Sequence, residues 1–250
     1  MGAAARPRLR LAWGMLLPLL LALQAQATTP IAGAERLLVV TTAGWDSAPG
    51  TLRRFERGAD GAWLPVGDSI RVVVGEHGLG WGVGLHPTDA GAGPVKHEGD
   101  GRAPAGVFRL STAFGYAPED SAGWVPLEYH RATPTYECVD DAGSRYYNQT
   151  LERGTVFPDW SSSEIMRRRD VLYRWGVIVA HNMPATPGRG SCIFLHIWSG
   201  PDDSGTAGCT AMAEPALLEV MRWLDPRKHP LLVQLTRGEY ARLQRAWGLP

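Results

Sequence analysis

The pattern of apolar and polar positions along the chain predicts short strands more often than helices. "RLLVVTT" (36–42) is β-branched and apolar, while "TLRRFER" (51–57) and "AWLPVGD" (62–68) flank "GADG", the composition of a hairpin turn. "SIRVVVG", "GVFRLST", "WGVIVAH" and "SCIFLHIW" are further strand candidates, and the last two are apolar on both faces, as buried strands are. Two segments carry a helical period. In "AEPALLEVMRWLDP", Pro215 suits a first turn, Leu217, Leu218, Met221 and Leu224 form one stripe, and Pro226 stops it. In "SSSEIMRRRDVLYRW" (161–175) a serine precedes Glu164 as a cap does, which predicts a second helix. The balance is a mostly β fold with a few short helices.

The N-terminus departs from this pattern and sets the compartment. Arg6, Arg8 and Arg10 precede an apolar run from Leu11 to Leu23, and Ala25 and Ala27 offer a small-residue cleavage site. That order predicts a secretory signal peptide over 1–27, with one domain over 28–250 and a destination in the periplasm or cell envelope. The run falls short of the roughly 20 apolar residues of a membrane span, so no stable span is expected after cleavage. Loss of the leader removes three arginines and no acid, leaving a formal charge of about −3, 22 basic residues against 25 acidic. Such a surface is not that of a nucleic-acid binder. The 30 glycines and 19 prolines fit a chain of many turns.

Export changes what the three cysteines can be. An odd count predicts one disulfide and one thiol left over. Cys138 in "YECVDD" and Cys192 in "GSCIFLH" sit in structural contexts, and they are the expected disulfide. Cys209 in "GTAGCTA" is surrounded by small residues that leave a sulfur accessible and let backbone N–H groups approach a ligand. Those are the needs of a cysteine nucleophile; the plainer alternative is a small buried hydrophobe. His196 lies on an apolar strand, with Cys192 and Phe194 on its own side by alternation. A core histidine is costly unless its nitrogens are bonded. His196 is therefore either a satisfied core residue or a base whose other nitrogen a backbone carbonyl holds in one tautomer. Phe194 and Trp198 are the expected walls, and a neighbouring imidazole is expected to raise the thiolate fraction of Cys209.

The region around these two residues resembles the L,D-transpeptidase catalytic domain, the YkuD family. Its signature is a histidine followed at a distance by Ser/Thr-His-Gly-Cys; here "LHIW" supplies the histidine and "GTAGC" supplies Thr206, Gly208 and Cys209. "DGRAPAGVFRL" resembles the family's Asp-Gly-x-Thr-Pro-x-Gly-x-Phe segment, with Gly101, Pro104, Gly106 and Phe108 in register, and "WGVIVAHN" resembles the strand before the catalytic histidine. The resemblance spans about 35–235 and is strongest over 175–224. The chain departs from the pattern at Ala207, where the family has histidine, at "TAM" after the cysteine, and in a shorter interval between His196 and Cys209. The resemblance implies a β-sandwich-like mixed sheet and a two-step acyl transfer on peptidoglycan stem peptides without a cofactor. Cys209 would attack and release D-alanine, with His196 as base. Gly208 and Cys209 would supply oxyanion N–H groups, and Thr206, Trp198 and His181 would line the oxyanion or substrate site.

Four rivals remain. Papain-like and NlpC/P60 peptidases place the cysteine before the histidine, the reverse of the order here. A zinc site would draw on His181, His196, Cys209 and Asp202 or Asp203, which lack close paired-ligand spacing; no metal is expected. A hydrolase with the same pair, or an inactive wall-binding domain favoured by Ala207, completes the alternatives. His77, His86, His97 and His130 fall in loop-like segments and are expected to be solvated, with His97 near "GDGR" a candidate to line a groove. The scattered tryptophans are expected mainly in the core.

Overall fold

A computed structural model describes residues 1–2, 29–88, 91–201 and 204–250. The expected leader therefore lies almost wholly outside the described residues, as do Asp202 and Asp203. Within them the fold is mostly β. Strands β1 (Arg36–Thr42), β2 (Pro49–Arg57), β3 (Trp63–Val73), β4 (Leu79–Trp81), β5 (Ala103–Gly115) and β6 (Glu128–Arg131) come first. Then follow β7 (Tyr136–Val139), β8 (Thr150–Glu152), β9 (Ser163–Ile165), β10 (Trp175–Val179), β11 (Phe194–Ile197), β12 (Thr210–Met212) and β13 (Leu231–Thr236). Helix α1 (Glu214–Trp223) lies between β12 and β13, and α2 (Arg237–Trp247) follows β13. No helix of the described residues is long and apolar enough to cross a membrane.

The main sheet runs β10-β11-β12-β3-β2-β1-β13-β5, and a further β10–β5 pairing closes it on itself. The inner cluster of the ring holds Leu38, Val40, Val72, Phe108, Val177, Leu195 and Met212, none more than 1 % exposed. This is the alternation of β1, β5 and β11 seen from inside. The "GADG" segment makes the expected β2–β3 turn, with Gly58 N–H on the Ala62 carbonyl at 2.7 Å. The "AWLPVGD" and "SIRVVVG" segments join as one strand, β3, across a register shift opposite Leu52 and Arg54.

A small sheet, β8-β7-β9, covers the outer face of the ring where β10 and β11 lie. Between the two layers is a second cluster: Phe114, Tyr136, Cys138, Met166, Tyr173, Cys192, Phe194 and Cys209. Cys138 on β7 is bonded to Cys192, just before β11, with Cα atoms 5.9 Å apart. Cys209 is a free thiol.

The helix predicted over 161–175 does not form. Ser163–Ile165 is β9, paired antiparallel with β7. The Ser163 hydroxyl, expected to cap a helix, donates instead to Glu137. Farther on, Asp170 Oδ1 accepts Leu172 N–H at 3.0 Å while its Oδ2 accepts from Arg168 at 2.8 Å, a local side-chain turn that competes with helical hydrogen bonding.

Candidate active site

Cys209 lies immediately before β12, and His196 sits on its parallel neighbour β11, where Leu195 pairs with Thr210 and His196 with Ala211. That pairing brings the two residues into one cleft of about 450 Å³, whose lining also includes Glu164, Tyr173, Thr206 and Gly208. His196 Nδ1–H donates to the Ile197 carbonyl at 2.8 Å. The bond fixes the tautomer, so Nε2 is the nitrogen that can take a proton. The Tyr173 ring stands edge-on to the imidazole, centroids 5.1 Å apart.

The turn carrying Cys209 is built by Thr206. Its N–H donates to Val74 O at 2.9 Å and its carbonyl accepts Glu76 N–H at 2.7 Å, which ties the turn to the end of β3. Its hydroxyl accepts Gly208 N–H at 3.1 Å and donates to Cys209 O at 2.7 Å. Gly208 has φ 156°, a conformation L side chains rarely adopt, and a Cβ there would lie 3.2 Å from Arg102 O. The Gly208 N–H is thus already engaged by Thr206, and the N–H of Cys209 itself is the other backbone donor of this turn.

The sulfur is enclosed. Phe194 N–H donates to Cys209 Sγ at 3.3 Å, and the thiol donates to Cys192 O at 3.6 Å. Burial, with the Glu164 charge adding to it, pushes the thiol up to about 12. The expectation of an enlarged thiolate fraction is therefore corrected: the resting group is a thiol, because a buried anion beside a carboxylate is disfavoured.

Other expected site residues stand elsewhere. Trp198 is not part of the cleft lining; β11 ends at Ile197, so alternation no longer places residue 198, and the indole lies 5.9 Å from the Arg71 guanidinium. Phe194 packs beneath the cleft, 1 % exposed, against Phe114 and Tyr173. Leu172 and Tyr173 take the place of these walls. His181 is 1 % exposed, its Nε2–H on Arg189 O at 2.9 Å and its Nδ1 accepting Val83 N–H at 3.3 Å. Burial lowers it to about 4, so it is a neutral packing residue away from the cleft. His181 therefore does not join His196 and Cys209 in the cleft, and among the described residues no group of three or more His, Cys, Asp or Glu is placed to hold a metal. His97 does not line the cleft either. His86 is not solvated: it is 6 % exposed among Trp81, Phe108 and Trp247.

Several cleft groups escape a reading of the sequence. Lys96 is buried and paired with Asp100 at 2.5 Å; Asp100 also accepts the N–H groups of His97 and Arg102, at 2.7 and 2.9 Å. These bonds fix the "KHEGDGR" loop against the site. Glu164 accepts a hydrogen bond from Tyr173 O–H. Burial holds its carboxyl above the usual range, and the nearby Asp140 charge acts the same way.

No family model and no curated protein matches this chain. The functional reading therefore stands on motif and geometry: a buried thiol, an oriented imidazole and a cleft between two sheets.

Proposed function

We propose that the chain is an exported cysteine acyltransferase of the L,D-transpeptidase kind, acting on peptidoglycan stem peptides in the cell envelope and sharing that family's fold. The observation that supports this most is the convergence of Cys209 and His196 on one cleft from neighbouring strands. Cys209 attacks the carbonyl of the third stem residue, a thioester forms and D-alanine leaves. His196 Nε2, oriented through its Nδ1–H bond, takes the thiol proton of Cys209 as attack begins and then delivers it to the departing amine. The oxyanion is met by Cys209 N–H and by Gly208 N–H, which exchanges its bond to Thr206 for one to substrate. An amine then takes the acyl group to form a crosslink, or water takes it and the stem is trimmed.

Ala207 and the enclosure of the sulfur favour a second reading, an inactive wall-binding domain. Mass spectrometry of tetrapeptide muropeptides after incubation separates the two. The wild type should release D-alanine and Cys209→Ala should not, while both melt alike. Turnover by Cys209→Ala removes Cys209 as nucleophile; an inert wild type supports the binding domain. A carbapenem, whose strained ring stands in for the acyl donor, should raise the intact mass by one inhibitor at Cys209. Labelling at any other residue counts against the assignment.

A further inference from the structure

Lys96 is an unusual wall for a cleft. Its side chain is only 3 % exposed, yet it lines the same space as Cys209 and Gly208. Its N–H donates to Trp81 O at 2.9 Å, which anchors the residue beside β4. From there the side chain passes two glycines. A Cβ on Gly190 would lie 2.9 Å from Lys96 Cε, and one on Gly208 would lie 3.7 Å from Lys96 Nζ. The ammonium therefore stands beside the turn that carries Cys209, a turn to which Ala207 brings no polar side chain. Among the described residues Nζ has two acceptors, His97 O at 2.7 Å and Asp100 Oδ1 at 2.5 Å. An ammonium has three protons, so one N–H is left for a ligand. Arg168, also in the lining, has its Nε and Nη2 on Asp170 at 3.0 and 2.8 Å. Glu98, Asp140 and Glu164 line the cleft as well, and their charge repels an anion from the space away from Lys96. Burial and the Glu164 charge raise the Cys209 thiol while the Lys96 charge acts to lower it, which agrees with an ammonium close to that turn.

We propose that Lys96 binds the free carboxylate of the substrate's last residue, the residue that acyl transfer releases. In a terminal residue that carboxylate is one carbon away from the scissile amide nitrogen. A substrate whose reacting carbonyl sits at Cys209 therefore carries it into the same cleft, and the ammonium beside Gly208 is the group there that can meet it. The third N–H of Nζ donates to the carboxylate, and two charged partners make that bond stronger than a neutral one. Asp100 keeps the N–H groups of His97 and Arg102, at 2.7 and 2.9 Å, so the loop stays formed when the ammonium is shared. An internal peptide bond has no carboxylate to offer at this place. Lys96 is thus a specificity residue that selects chain ends, and the cleft removes one terminal residue rather than cutting within a peptide.

The inference rests on the acyl-transfer reading, and its test uses binding alone, so the two fail separately. N-acetyl-D-alanine and its C-terminal amide are titrated against the wild type and Lys96→Met by ligand-observed NMR. The wild type should hold the acid about tenfold more tightly than the amide, the worth of a hydrogen bond between charged groups. Lys96→Met should bind the two alike. Equal binding of acid and amide by the wild type overturns the proposal, as does a wild type that binds neither. A preference for the acid that survives Lys96→Met overturns it too. Lys96→Met strands the Asp100 carboxylate, and if that variant does not fold, Lys96→Met/Asp100→Asn, which leaves no lone charge, is judged by the same outcomes. Should neither variant fold, the wild-type comparison decides. Turnover is measured separately on a tetrapeptide muropeptide and on its C-terminal amide. A preference for the acid in a protein that releases no D-alanine sinks the acyl-transfer reading and leaves the carboxylate site standing. Equal kcat/KM on the two substrates leaves acyl transfer standing and removes the site.

Discussion

Thr206 joins the turn that carries Cys209, since one hydroxyl satisfies Gly208 N–H and Cys209 O together. Thr206→Val keeps the shape and removes both bonds. It should destabilise the fold by about 1–3 kcal/mol, read by urea denaturation, and should lower D-alanine release more than the loss of stability alone accounts for. Thr206→Ser, which restores the hydroxyl, should recover most of both. At this scale the sequence exposed the residues whose types are unusual for their surroundings. A histidine between Leu195 and Ile197, and a cysteine among glycine, alanine and threonine, stand out without any neighbour in view. Glu164 and Tyr173 do not. A carboxylate beside serines and a tyrosine beside arginines look like surface residues until the cleft that both line is in view.

The element that carries Glu164 explains much of that concealment. The segment 161–175 satisfies a helical reading, with serines, a glutamate and scattered apolar positions, but what decides its structure lies in β7, more than twenty residues earlier. By contrast α1 was legible because its proline, stripe and stop are all local, and Leu217, Val220 and Met221 are buried as such a stripe requires. Helix α2 left a fainter trace. Thr236 caps it by accepting Glu239 N–H at 3.1 Å and Gly248 ends it at φ 67°, yet only Leu243 and Trp247 are buried. Among the strands, β10 depends on Gly176, which pairs with His196; a Cβ there would fall 2.3 Å from the Phe114 ring. Gly176→Ala should therefore cost about 1–3 kcal/mol by overpacking. It should also disturb His196 through the Phe114, Phe194 and Tyr173 rings, so thermal melts and turnover should fall together.

Across the whole molecule, the Cys138–Cys192 bond and the buried histidines set the conditions in which the fold persists. The bond spans 54 residues and ties the small sheet to the ring. Its reduction should lower stability by about 4 kcal/mol in the chain-entropy account, and the unreduced, denatured protein should contain one free thiol, mapping to Cys209. His86 and His181 both rest at about 4 in the folded chain, lowered by burial from an ordinary 6.5. As pH falls below 6.5 the unfolded chain binds protons that these two refuse, so their contribution is whole above that point and is lost on the way down to about 4. Each is worth on the order of 3 kcal/mol. Urea midpoints should drop between neutral pH and about pH 4.5, and His181→Gln should blunt the drop even if it lowers the neutral value. The ring itself has a consequence in time. The last of the described strands in chain order is β13, held between β1 and β5 and nearly two hundred residues after β1. A chain emerging from a ribosome or a membrane pore reaches residue 231 last of all the strands, and until then β1 and β5 have open flanks. Closure of the barrel therefore waits for its last-made described strand, and β12, which follows Cys209, precedes that strand in the chain.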